Sequence, residues 1–231
     1  YDTYLSHERH NILNYKKKLY LIVIFRTNVD NKRMILPAKQ QRSLDRINKI
    51  LDTAELILEH EPLSALSIAK ISVEAGLKRT STYKFFETTD DIKLALIQRY
   101  VETCNEVLSV DLQTHVGADY SRCLKNCVNS IIGFFKARPG AQKLILENTV
   151  SPAVTSSDLH KIAATILKHV EGSIGLPNMF NKTGVFLVIT QVIFSILSLN
   201  AKENNELTEV GLNEAVRASN AYLLSCLATP A

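Results

Sequence analysis

Residues 67–86 read SIAKISVEAGLKRTSTYKFF, two short helices divided by one glycine. Ser67 offers an oxygen to the free N–H groups of a first helical turn, and Ile68, Ile71 and Ala75 recur behind it at helical spacing. Gly76 can take the left-handed conformation that a helix C′ position demands, and Leu77 follows as an apolar plug. A second helix starts at once, over residues 78–84. Its Lys78, Tyr83 and Lys84 supply cations and donors for phosphate oxygens, and Arg79, Thr80 and Ser81 are the candidates for base edges, because short hydroxyl side chains let a helix come close. An amphipathic helix pair with a Gly turn is also a common structural unit, and basic residues on a short helix often only face water. The local pattern leaves both open.

With an apolar helix before it and an acidic helix start behind it, this stretch resembles the N-terminal domain of TetR-family transcriptional regulators. That family carries L-T-x-x-x-I-A-x-x-A-G-V-S-x-G-T-L-Y-x-x-F, and Leu66, Ser67, Ile71, Ala75, Gly76, Tyr83 and Phe86 fall on matching positions. Lys78 stands where the family usually has a Ser cap, Thr80 where Gly is frequent, Thr82 where an aliphatic residue is usual, and Thr89 where a Lys begins the next helix. The match covers residues 42–101. It implies an all-α fold, with an N-terminal three-helix helix-turn-helix domain followed by a C-terminal helical ligand-binding and dimerisation domain. It further implies a cytoplasmic homodimer that binds a palindromic double-stranded DNA operator, with repression as the default and a small-molecule effector that releases it.

The chain of 231 residues is 46% hydrophobic and 22% charged, ordinary for a globular protein with a real core. Long apolar-periodic runs without strand-like alternation, with only eight Gly and six Pro, predict a mostly helical chain. The net charge of +4 is unevenly placed. Residues 1–41 carry eight Lys and Arg against three Asp and Glu, residues 42–100 nine against nine, and residues 101–231 ten against eleven. Bulk charge therefore gives no case for nucleic acid in residues 42–100, and phosphate attraction there needs a local basic face. Arg42, Lys78, Arg79 and Lys84 are its candidates, with Arg42 and Ser43 expected at the N-terminus of the first helix.

Residues 1–39 form an N-terminal extension. Its run Tyr15–Phe25, YKKKLYLIVIF, joins a Lys triplet to an apolar stretch shorter than the roughly 20 residues a membrane span needs, and no small-residue cleavage site follows. It reads as a packed strand or helix, as a basic arm on DNA backbone, or as sequence upstream of a start at Met34. Residues 40–101 are the expected DNA-binding domain and residues 102–231 the expected ligand-binding and dimerisation domain.

A first helix is expected over Gln40–His60, with Leu44, Ile47, Leu51, Ala54 and Leu58 as its core stripe, widened by Ile50 and Ile57. After the motif, Thr88 or Thr89 caps a helix whose apolar side is read as Ile92, Leu96, Thr103 and Val107. Further helices are expected over residues 119–138, over residues 142–148 after a Pro139-Gly140 break, and from a Ser156 or Ser157 cap to Gly172. The last two run over residues 183–202 and 208–227. The first of these, TGVFLVITQVIFSILSLN, is apolar nearly all round, so one subunit alone would have difficulty covering it. A four-helix interface formed by the last two helices of each of two chains is the simpler answer.

Six His occur without H-E-x-x-H, and no G-x-S-x-G or phosphate-binding glycine loop is present, so no enzyme, cofactor or metal is expected. Cys123 and Cys127 share a helix face; they read as small buried hydrophobes, with a soft-metal or oxidant role left open. The polar candidates for orienting an effector are Tyr120, Asn126, Gln142, His160 and Gln191, beside Phe134, Phe135, Phe180, Phe186 and Phe194 as apolar lining. The alternative to a regulator is a dimeric helical interaction or small-molecule-binding module that does not bind DNA.

Overall fold

The computed structural model describes residues 38–115, 117–179 and 181–228, so the expectations for the N-terminal extension, Met34 included, and for Phe180 lie outside the described residues. The described elements are all helical: α1 Ala38–His60, α2 Ile68–Glu74, α3 Arg79–Tyr83, α4 Thr89–Asp111, α5 Tyr120–Lys136, α6, α7 Ser156–Ile174, α8 Lys182–Asn204 and α9 Glu209–Ala228. Helix α6 is an α-turn, Pro139–Ala141, continued by a π-helical stretch, Gln142–Glu147.

Local signals set most boundaries. Ser67 accepts from the Lys70 N–H at 3.2 Å, and Asp119 from that of Arg122 at 2.7 Å. Thr88 and Asp91 form a reciprocal capping box at the start of α4. Gly76, at φ +60°, ends α2 in a Schellman arrangement, with Leu77 N–H on the Ser72 carbonyl at 2.8 Å and Gly76 N–H on that of Val73 at 3.0 Å.

Several expectations are corrected. Helix α1 starts two residues early, because Ala38 and Lys39 are good helix formers with nothing to stop them, so Arg42 and Ser43 sit a turn inside it. The buried side of α4 is Ile92, Leu96, Tyr100, Val101, Cys104 and Leu108; Thr103 and Val107 are only half-buried, and the Thr103 hydroxyl donates to the Arg99 carbonyl at 2.8 Å. Pro139 does not only break the chain: it occupies the first turn of α6, where its missing N–H costs no hydrogen bond. Thr155, not Ser156 or Ser157, precedes α7, with its N–H and hydroxyl on the Asp158 carboxylate at 2.8 and 2.7 Å. That helix passes through Gly172 and ends at Gly175, φ +73°.

One core runs from Ile50 to Leu223. Helix α4 is unbroken across residues 101 and 102 and packs against α1 on one side and α5 and α7 on the other. The aromatic residues expected to line a pocket instead fill the bundle: Phe134 meets Phe135 edge-on at 5.2 Å, Phe135 meets Phe194 at 5.9 Å, and Phe186 is fully buried. Helix α8 is long and apolar enough to cross a membrane by length and composition, but 44% of its most apolar window is buried within the chain, against α6, α7 and α9. Val188, Gln191, Ser195 and Leu199 form the stripe it leaves exposed. Cys123 and Cys127 are buried, and burial raises both thiols above their ordinary range.

Candidate nucleic-acid interface

Helix α3 has one face in the core and one in water. Thr82 and Phe86 are buried, while Lys78, Arg79, Thr80, Tyr83 and Lys84 are exposed and Ser81 is half-exposed. The helix is shorter than expected, Arg79–Tyr83, because Lys78 precedes it in extended conformation and its side chain makes no cap hydrogen bond. Thr82, noted as a departure from the family pattern, turns inward. Its hydroxyl lies 2.9 Å from that of Ser72, which donates to the Ile68 carbonyl at 2.6 Å. The two helices of the motif are thus held together by a polar contact inside an apolar setting, where each hydroxyl has a partner.

The cations separate into two groups. Lys70 pairs with Glu61, and Arg99, whose side chain is only 8% exposed, pairs with Asp52 at 2.6 Å and Glu55 at 3.2 Å. Arg42, Lys78, Arg79 and Lys84 have no ion pair among the described residues. Charges left without partners on an exposed face keep their full attraction for phosphate, whereas paired ones do not. Ser67 is committed to capping α2, so its contribution at such a face is to orient the helix.

Behind this face two contacts that the sequence does not announce join the helix-turn-helix to the rest. The Lys143 ammonium donates to the carbonyls of Leu58 at 2.7 Å and Glu61 at 3.0 Å, closing the C-terminal end of α1. Gly140 sits so close to α1 and α4 that an added Cβ would lie 2.7 Å from Tyr100 Oη and 3.0 Å from Leu58 Cβ. Burial, and Glu55 after it, push the Tyr100 phenol above its ordinary range, so it stays neutral there.

The five polar effector candidates are not brought together. Tyr120 donates to the Gly175 carbonyl at 3.4 Å, Gln142 to Glu147 at 2.8 Å and Gln191 to Ser195 at 3.1 Å, while Asn126 is half-buried and His160 exposed. None of them lines the two cavities flanking α7. The larger of these, about 440 Å³, lies between the end of α4 and α7 and involves Gln113, His115, Lys168 and His169. The sequence does not announce this grouping, because Gln113 and His115 follow α4 while Lys168 and His169 lie on α7, more than 50 residues further along the chain.

No protein-family model matches the chain. Among curated proteins it is similar to the HTH-type transcriptional regulator EthR of Mycobacterium tuberculosis, 24% identical over 124 residues, which is 54% of this chain. The chain spans 56% of the length of that relative. Among solved structures it is similar to a TetR-family transcriptional regulator from Streptomyces coelicolor, with TM-score 0.59, 23% identity, and 79% and 99% of the two chains covered. It is also similar to one from Pectobacterium atrosepticum, with TM-score 0.62, 15% identity, and 83% and 98% covered. The chain has the fold of these TetR-family regulators.

Proposed function

We propose that this chain is a DNA-binding transcriptional regulator, a homodimeric repressor that binds a palindromic operator and releases it when a small-molecule effector binds. One observation carries the proposal: along residues 78–86, which Thr82 of α3 and Phe86 after it anchor in the core, Lys78, Arg79 and Lys84 are exposed and without ion-pair partners among the described residues. In this reading Arg79, Thr80 and Ser81 meet base edges, and Arg42, Ser43, Lys78, Tyr83 and Lys84 hold phosphates. The regulators of the same fold support it. Residues 40–101 act as the DNA-binding domain and residues 102–231 as the sensing and dimerising domain. The exposed stripe on α8, with Val210 and Leu224 exposed on α9, is the surface offered to a second copy. A cytoplasmic location belongs to the same proposal.

The test is binding of the purified protein to a labelled fragment of the DNA upstream of its own coding region, at two salt concentrations, beside an Arg79→Ala/Lys84→Ala variant. Tight binding that weakens with salt and is lost in the variant is the expected result. A folded dimer that shows no DNA affinity even at low salt would favour the interaction module instead. Thr82, a departure from the family pattern, does not speak for that module, since its side chain belongs to the packing of the motif.

A further inference from the structure

We propose that the cavity between the C-terminal end of α4 and helix α7 binds a small organic anion, whose carboxylate is held by Lys168, His115 and His169. At about 440 Å³ the cavity has the size of a small-molecule site. Among the described residues, the ionisable side chains that line it are all bases: Lys168, His115 and His169. Lys168 has no ion pair among the described residues, although Glu171 stands one turn along the same helix, because Glu171 is engaged by Lys182 at 2.7 Å.

The imidazoles are in states that suit an incoming carboxylate. His115 Nδ1 lies 2.7 Å from the Asp111 carbonyl oxygen, which can only accept, so Nδ1 carries the proton and Nε2 remains available to take a second one. His169 Nε2 is buried and has no hydrogen-bond partner. Burial, and then the neighbouring His115, hold the His169 imidazole below its ordinary range. A negative group that enters beside the two rings offsets the effect that disfavours charge on His169. Leu112 gives the same cavity an apolar side, which suits an organic body rather than a bare inorganic ion. The bundle interior itself is filled by Phe134, Phe135 and Phe186. The site rests on the proposed regulator only for its consequence: Arg99, on the same helix α4, grips α1, so an anion at the far end of α4 acts on the helix that supports the DNA-facing motif.

The experiment follows the histidine ring resonances of the full chain by NMR at about pH 6.5, near the ordinary imidazole pKa, while sodium hexanoate, hexan-1-ol or inorganic phosphate is added. Hexanoate is expected to shift the His115 and His169 signals along saturable curves in the direction of protonation, and hexan-1-ol to leave them in place. Phosphate alone is expected to bind roughly tenfold more weakly, lacking the apolar body. Lys168→Gln, a change at an exposed position, is expected to weaken hexanoate roughly tenfold with the melting temperature unchanged. An equal response to hexan-1-ol, or no saturable shift with any probe up to about 10 mM, overturns the proposal. Phosphate binding as tightly as hexanoate overturns its organic part. No DNA is present in this measurement, so its failure and a failure of the DNA-binding reading are seen separately.

Discussion

The Thr82 hydroxyl lies 2.9 Å from the Ser72 hydroxyl, and both side chains are closed off from water between the two helices of the motif. Ser72 also donates to the Ile68 carbonyl, so Thr82 is the donor between the two hydroxyls, and Ser72 keeps a hydrogen bond without Thr82. Thr82→Val leaves Ser72 with that carbonyl and should cost about 1 kcal/mol, the net worth of one hydrogen bond. Removing both hydroxyls, in Thr82→Val/Ser72→Ala, should cost little more than either change alone, since no orphaned group remains. Urea unfolding of the four proteins of this cycle measures the coupling. Strictly additive costs would mean that the two hydroxyls do not interact.

Gly140 is the point where α6 meets both α1 and α4. A methyl group there would meet Tyr100 Oη at 2.7 Å and Leu58 Cβ at 3.0 Å, and neither neighbour can withdraw, because Tyr100 and Leu58 are buried. Gly140→Ala should therefore destabilise by about 1–3 kcal/mol, as overpacking does. Tyr100→Phe removes the oxygen that clashes, so the double variant should recover part of the loss. Thermal unfolding of the three variants decides it, and a Gly140→Ala protein as stable as the wild type would show that α6 can move away.

How legible this arrangement is in the sequence depends on range. The motif could be read because its signals are local: Ser67 caps within three residues, and Gly76 turns the chain where it stands. The α1 stripe could be read because α1 buries one face, and Leu44, Ile50, Leu51, Ala54, Ile57 and Leu58 are all buried. Helix α4 was misread because α1, α5 and α7 bury it on several sides, so Tyr100, Val101 and Cys104 count as core beside the expected stripe. Lys143, Arg99 and Gly140 were not legible at all. A lysine that closes a helix end 82 residues away in sequence has no local pattern to betray it.

That lysine gives a prediction. Lys143 supplies the donors that the last carbonyls of α1 lack within their own helix, and it is half-buried while doing so. Lys143→Met keeps the stem and removes the ammonium, and should cost about 1–2 kcal/mol, the range for a charge at a partly buried helix C-terminus. Denaturant unfolding gives the cost. A loss under a few tenths of a kcal/mol would mean that water closes the helix end equally well.

The pH dependence of stability follows from His169. Its imidazole is held below 6.5, by burial first and by His115 second, with Lys168 as the other cation lining the same cavity. Well above pH 6.5 the imidazole is neutral in both folded and unfolded chains, and it adds no pH dependence to stability. As pH falls below that value the unfolded chain takes up a proton that the folded chain refuses, so stability declines until the lowered native pKa is reached. His169→Gln should flatten this part of the profile in denaturant titrations between about pH 7 and pH 5. An unchanged slope in the variant would assign the effect to other groups.

The dimer proposal meets its test on α8. Val188 is 40% exposed and Leu199 61% exposed, on the stripe that also holds Gln191 and Ser195, while the opposite side of the helix carries Phe186, Ile189, Ile193 and Leu197 in the core. A charge on the open stripe leaves the subunit's own core intact, and in a two-fold interface it is met twice, once from each copy. Leu199→Glu should then leave helix content and melting of the subunit close to wild type while light scattering reports the mass of a monomer. If the protein binds a palindrome, operator affinity should fall by at least about tenfold in the same variant, because each half-site is then held by one helix-turn-helix alone. A Leu199→Glu protein that stays dimeric would place the interface on another surface, and a monomer with undiminished affinity would separate DNA binding from dimerisation.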